Sequence, residues 1–174
     1  NPASVERAGR LGLPLIIAII GGGPARFVPL VEHYRESAAA AGQDPSKLKV
    51  AINSHTHLAE TSRQAADEFF TPYATLMNTV GRERGWAPMT RNQYEALRSP
   101  TGALHVGSAD EVIEKLLYEY ELFGHARYVA QMSVGPQPHE QTLKAIELLG
   151  TKVAPVVREE IEKRKARIAV TAGV

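Results

Sequence analysis

There is no cysteine anywhere in the 174 residues, which excludes disulfides, thiolate metal sites and cysteine nucleophiles. That composition fits a reducing, cytoplasmic compartment. No apolar run approaches the roughly 20 residues that a membrane helix needs, so no membrane partner is expected. Neither sign of charge prevails: 20 basic and 19 acidic side chains leave a formal +1 spread along the chain, so no electrostatic footprint for nucleic acid is present. The one local excess, Arg158 to Arg167, mixes both signs and reads as the solvated end of a helix. Residues 1–12 lack the basic-then-apolar layout of a signal peptide. The chain opens Asn-Pro-Ala-Ser without an initiator methionine, and is read as processed or as the remainder of something longer. Several catalytic signatures are also missing. Gly21-Gly22-Gly23-Pro24 has neither the spacing of a dinucleotide fingerprint nor the lysine of a phosphate loop. No serine sits on a recognisable sharp elbow.

What is present centres on Leu13 to Arg26. Five large aliphatics lie between Pro14 and Gly21 with no polar residue among them, the pattern of a strand covered on both faces as in a parallel sheet. The run is too short for a stable helix, and β-branched isoleucine suits a pleated surface. The predicted strand is Leu15 to Ile20, and only helices can cover it. Gly21, Gly22 and Gly23 then form the turn at its C-terminal end, where α/β folds place ligands. A flexible turn before the next helix explains the same glycines.

Elsewhere the chain alternates. Asn1 caps a helix with Pro2 at its first position and Val5, Ala8 and Leu11 on one face, ended by Gly12. Pro24 starts a second helix that runs to Gly42. Leu48 to Ser54 is the second strand, with Asn53, Ser54, His55, Thr56 and His57 clustered where it should end. A long helix from about Thr61 to Arg84 carries Pro72 as an expected kink. Gly85 to Thr101 has little periodicity and reads as an excursion with one short helix near Arg91 to Leu97, a lid or binding loop by its length. Ser108-Ala109-Asp110-Glu111 is a capping box opening the next helix. Tyr128 to Val134 is the third strand, and a final helix from His139 to Arg167 is broken near Gly150 and Pro155. These elements describe a single α/β domain over residues 1–174, with an excursion or lid at 85–103 and a helical tail at 159–174. Three strands leave open edges and uncovered apolar surface.

Several stretches, taken in order, resemble the C-terminal half of bacterial luciferase-like flavin-dependent monooxygenases. They are Asn1 to Pro14, Ala18 to Gly22, Ala59-Glu60-Thr61, Gly85-Trp86 with Pro88-Met89-Thr90, Val106-Gly107-Ser108, and Glu121 to His125. The resemblance runs from Asn1 to about Arg158. It implies a partial (β/α)₈ TIM barrel whose three parallel strands, with flanking helices, correspond to strands six to eight. A complete barrel needs on the order of 250 residues, so this chain does not close one alone. The family implies reduced FMN, or a deazaflavin, at the C-terminal face of the strands, acting with dioxygen on a small organic substrate. The isolated chain is then inactive and pairs with its missing N-terminal half or with further copies. A non-catalytic half-barrel that assembles through exposed strands is the alternative.

Within that frame the resemblance places the flavin phosphate at Asn1 to Val5, and free amides at a helix N-terminus attract phosphate. Asn1 and Ser4 are therefore the first cofactor-binding candidates, against the plain reading of Asn1 as a helix cap. Gly21 and Gly22 are secondary candidates, since a ring could approach that backbone without meeting a side chain. His55 and His57 would share one side of a strand, but no third ligand at a recognisable spacing accompanies them, so no metal is expected. They line a pocket or sit at the surface of a loop. Gln131 and Ser133 share a side of the third strand, with Met132 opposite, and packing is the preferred role. Trp86, Met89 and Tyr94 form either an apolar lid or a local mini-core. Phe69, Phe70 and Tyr73 read as helix packing. No residue is identified as a catalytic acid or base.

Overall fold

A computed structural model describes residues 1–172, with side chains described as far as Arg167. Residues 173–174 of the expected helical tail lie outside the described residues. In chain order the elements are α1 (Pro2–Arg10), β1 (Leu15–Ile19), α2 (Val28–Ala40), β2 (Val50–Leu58), α3 (Ser62–Arg82), α4 (Arg91–Arg98), β3 (His105–Gly107), α5 (Ala109–Phe123), β4 (Arg127–Gln131), α6 (His139–Leu148) and α7 (Ala154–Ala172). No described helix is long and apolar enough to cross a membrane.

All the strand pairings are parallel. β2 is central: Val50 to Ser54 pairs with β1, Ala51 to His55 pairs with β4, and Thr56 to Leu58 pairs with β3. Two differences from the sequence reading share one cause. β2 runs four residues past Ser54, and among the described residues there are four strands where three were expected, because the short β3 supplies partners for the extra length of β2. A three-residue strand carries no alternation for a periodicity argument to find. β4 in turn stops at Gln131 rather than reaching Val134.

The helix starts follow their caps. Asn1 accepts from the Ser4 amide at 2.9 Å, Thr61 caps α3, and Thr90 and Ser108 form full capping boxes at α4 and α5. α3 continues through Pro72 as one helix. The break expected near Gly150 is a single wider turn, Leu149–Val153, of the π type, after which Pro155 sits in the first turn of α7 where a missing amide hydrogen costs little.

Side chains alternate along the sheet, and only one face is fully covered. Leu15, Ile17, Ile19, Val50 and Ile52 pack with Val31 and Tyr34 of α2 and Phe123 of α5. Full burial of each such side chain contributes about 1.5–3 kcal/mol. α1 lies against α2 because Gly9 has no side chain: a Cβ there would stand 2.4 Å from the Tyr34 carbonyl oxygen. The opposite face of β1 is open, with Ile16 57% and Ile20 42% exposed. The sequence reading expected cover on both faces; the chain's helices supply it on one. A second cluster, built from Ala65, Phe69 and Tyr73 of α3, Tyr94 of α4 and Leu104 and Val106 around β3, sits over the far end of the sheet.

Candidate functional site at the C-terminal edge of the sheet

Parallel strands end at a common edge, and the turns after β1, β2 and β4 therefore gather there. α1 also points its N-terminus at this edge. Glu6 lies 4.0 Å from His33, the Gly9 backbone abuts Tyr34 and Ala38, and Arg10 O accepts from the Gln43 side chain at 2.9 Å. α1 and α2 thus run in step, and α2 follows β1 through the glycine turn and a 3₁₀ turn at Pro24–Phe27.

On the open face the paired residues form successive rows. Ile16, Ala51 and Arg127 make the first, Ala18, Asn53 and Val129 the second, and His55 with Gln131 the third. Toward the C-terminal edge the rows turn from largely aliphatic to polar. Asn53 Nδ2 donates to Val129 O at 3.0 Å, which holds its amide flat along the sheet. Gln131 is half-buried on this face, while Met132 packs on the covered side with α5 and α6.

His55 and His57 are neither loop residues nor surface histidines. Both lie inside β2 and both are buried, because α3 folds back over this end of the open face. The His57 ring stacks on Phe69 at 5.4 Å, and the His55 ring meets Tyr73 edge-on at 5.7 Å. His57 Nδ1 lies 2.6 Å from Gln137 Nε2, and His57 Nε2 lies 2.9 Å from Glu68 Oε2. An amide nitrogen only donates, so Nδ1 is the acceptor and the ring proton sits on Nε2, directed at Glu68. Burial pulls the His57 pKa down, opposed by the Glu68 hydrogen bond and charge; burial alone pulls His55 down. Glu68 also accepts from Gln64 at 2.8 Å. Neither Glu68 nor Gln137 was singled out from the sequence, and nothing in linear spacing ties them to His57. No group of three or more metal-ligating side chains occurs among the described residues.

The excursion splits between its two expected roles. Tyr94 is fully buried and donates to Ala66 O at 3.1 Å, so it belongs to a mini-core, while Trp86 is 50% exposed. Trp86 and Met89 line a groove of ≈ 710 Å³ whose opposite wall is Gly22, Gly23, Thr101 and Gly102. Gly22 has φ +77°, a left-handed turn that only glycine takes without strain. At Gly21 a Cβ would touch nothing within 4 Å.

The structure brings the four candidate cofactor residues to one edge, in two places. Gly21 and Gly22 form the turn beside the groove. Asn1 and Ser4 lie at the exposed N-terminus of α1, where Asn1 caps the Ser4 amide. Pro2 has no amide hydrogen, so the Ala3 amide and the Ser4 hydroxyl, with the side-chain amide of Asn1, are donors open to a ligand.

The family model described as luciferase-like monooxygenase matches residues 1–126. No curated protein sequence matches. Among solved structures, the chain is similar to monooxygenase RslO1 from Streptomyces bottropensis, at 22% identity and a TM-score of 0.68, covering 89% of this chain and 45% of that one. It is also similar to the oxygenating constituent of 3,6-diketocamphane monooxygenase from Pseudomonas putida, solved with FMN, at 20% identity and TM-score 0.64, covering 87% and 45%. A third is the coenzyme F420-dependent tetrahydromethanopterin reductase from Methanopyrus kandleri, at 20% identity and TM-score 0.62, covering 90% and 49%. The chain spans less than half the length of each of these three. The likeness shows the fold: an α/β parallel sheet with flanking helices, similar to luciferase-like barrels.

Proposed function

The chain belongs to the luciferase-like monooxygenase family, and from that premise we propose that it forms the C-terminal arc of a flavin-dependent oxidoreductase. Reduced FMN or a deazaflavin would serve as cofactor, with dioxygen and a small organic molecule as substrates. β1, β2 and β4 would be the sixth, seventh and eighth strands of the barrel. The observation that carries this reading is the juxtaposition at one sheet edge of a glycine turn open at Gly21 and covered by Arg26 at Gly22, a largely apolar groove and a helix N-terminus with free donors.

The residues fit such a cofactor. Open space over Gly21 lets a flat ring lie against backbone, with Gly22 completing the turn. The Ala3 amide, the Ser4 hydroxyl and the positive end of α1 suit a phosphate. Asn1 orients that terminus through its bond to the Ser4 amide. Trp86 and Met89 would cover an organic substrate in the groove, which makes the part of the 85–103 excursion ahead of α4 the lid. When bound, the reduced cofactor supplies two electrons to dioxygen or to the substrate. The chain's part is to bind, orient and exclude water.

A second reading is favoured by the open sheet face, with Ile16 and Ile20 bare and Val129 36% exposed. It is a non-catalytic half-barrel that assembles through its exposed strands, with copies of itself or with an N-terminal half. Titrating the chain with FMN and with coenzyme F420, following cofactor fluorescence alongside size-exclusion elution, separates the two. Stoichiometric binding by a species of one discrete size supports the enzyme. No binding, together with dimers or larger species, supports assembly alone.

A further inference from the structure

At the opposite end of the sheet from the cofactor edge, where β4 begins, the chain has a pocket of ≈ 450 Å³, within the range of about 300–1,000 Å³ that small-molecule sites occupy. α5, the start of β4 and the first turns of α7 enclose it. One wall is aliphatic, made by Leu116, Leu149, Val153, Val157 and Ile161. The π-type turn Leu149–Val153 shapes that wall, and single wide turns inside helices recur at functional sites. The rest of the border is basic. Arg127 and Arg158 are exposed and, among the described residues, enter no ion pair or hydrogen bond. Further along α7 the cations are paired: Lys163 with Glu159, Arg164 with Glu160 and Glu121, Lys165 with Glu162. His125 borders the same pocket and is 8% exposed. Its Nδ1 is wholly buried without a partner and its ring meets Tyr120 edge-on at 5.9 Å, which leaves Nε2 as the nitrogen with access.

We infer that this pocket binds a single-chain amphipathic acid, an unbranched alkyl chain that ends in one carboxylate. The two halves of the lining select the two halves of the ligand. An alkyl chain lies against the aliphatic wall and is removed from water there. A carboxylate at the basic border meets the planar fork of Arg158, which matches it with two parallel hydrogen bonds. A wholly apolar occupant would leave Arg158 and His125 unanswered, and a small anion would leave the wall bare. His125 supplies the second contact. Burial pulls its pKa down, opposed chiefly by the charge of Glu119, while His105 on the same side lowers it further. A carboxylate beside the ring favours its protonated form, so ligand and proton enter together. An occupant held between α5, β4 and α7 also fastens α7 to the sheet. The site lies at the other end of the strands from the glycine turn and the N-terminus of α1, so it stands whether or not the chain takes up a flavin.

The test titrates the full chain with decanoate below its micelle concentration, with decanol and with acetate, followed by calorimetry and by the ¹⁵N signals of His125. One equivalent of decanoate is expected to bind and to move the His125 signals toward those of the protonated ring. Decanol, which lacks the charge, should bind at least about ten-fold more weakly, and acetate should give no saturable response. Three variants place the site. Arg158→Ala changes an exposed side chain with no partner in the chain, so it folds as wild type; it should weaken decanoate about ten-fold and leave decanol unchanged. Val157→Trp fills the pocket from a half-buried position and should abolish binding of both. Its circular dichroism is read first, and if it does not fold, Arg158→Ala decides. Ile16→Glu alters the open sheet face instead and should leave decanoate binding as in wild type. No uptake of decanoate overturns the inference, as does equal affinity for decanoate and decanol. Wild-type affinity in Arg158→Ala overturns it too, and a loss of binding in Ile16→Glu would put the acid on the open face instead.

Discussion

Replacing Lys115 by methionine tests whether the excursion is fastened or loose. Lys115 is almost fully buried on α5, and its ammonium donates to Arg98 O at 3.3 Å, Ser99 O at 2.8 Å and Leu104 O at 2.5 Å. Those carbonyls close the C-terminus of α4 and the turn that leads to β3. Two effects oppose each other. Desolvation pulls the lysine pKa from 10.5 to about 8, equivalent to about 3 kcal/mol of charge burial that methionine would relieve. Against this, each buried carbonyl stripped of a charged donor loses about 1–3 kcal/mol. Ser99 O keeps the Gly102 amide at 2.8 Å, so the loss falls mainly on the other two and on the shared bond, about 5 kcal/mol in all. The carbonyl losses win by about 2 kcal/mol. Methionine fills nearly the same volume, so no cavity is added. In a chain of this size the difference lowers the melting temperature by roughly 4–8 °C. The sign with pH follows from linkage. The folded pKa lies below the unfolded one, so between about pH 8 and pH 10.5 the unfolded chain binds more protons, and wild-type stability rises with pH through that window. Urea unfolding of both proteins at pH 7 and pH 10 should therefore show the wild-type advantage widening at the higher pH. A variant as stable as wild type at pH 7, or an advantage that narrows by pH 10, would refute the reasoning.

Gly9→Ala should cost about 2–3 kcal/mol by urea unfolding, since its Cβ would meet backbone of α2; unchanged stability would mean that α1 is free to shift. Acid should weaken the fold. His55, His57 and His125 are each lowered by burial, so below their ordinary pKa of about 6.5 the unfolded chain takes up protons that the folded chain refuses. Urea midpoints measured from pH 8 to pH 5 should fall on the acid side, and a flat profile would contradict that burial. Ser4→Asp separates helix stability from phosphate binding. A carboxylate in the first turn of α1 should leave stability unchanged or raise it by a few tenths of a kcal/mol, while weakening FMN about ten-fold and riboflavin, which has no phosphate, not at all. Equal effects on both flavins would remove the phosphate from α1.

The elements legible in the sequence are those whose signals are local. β1 shows in an aliphatic run between a proline and three glycines, α5 in its capping box, α1 in the Asn-Pro start. What escaped was decided across the chain. Nothing within Asn53 to Leu58 says that the strand continues, because the reason is His105 to Gly107, about fifty residues later in the sequence. Two histidines at a strand end look like a wet loop until α3 is laid over them. The same distance hides the candidate site: Gln137 is 80 residues from His57 and Glu68 is 11, and no motif joins them. The open face was also hidden, since an all-aliphatic strand looks alike whether its second face meets helices or nothing.

The excursion shows how these layers bear on function. Its length suggested a lid, but α4 is anchored on three sides. Tyr94 enters the core under α3. Arg98 donates to Ser62 O and Val106 O, both at 3.1 Å, and pairs with Glu95. Lys115 closes its far end. Helix α4 therefore moves with α3 and β3 if it moves at all. The segment between the helices is held by the Trp86 amide to Gly81 O at 2.9 Å and by the Met89 amide to Asn78 Oδ1 at 2.7 Å. It carries the exposed Trp86 over the groove beside the glycine turn. Met89 of the same segment packs against the second core cluster, so a motion that swings Trp86 over the groove would also loosen one edge of that cluster.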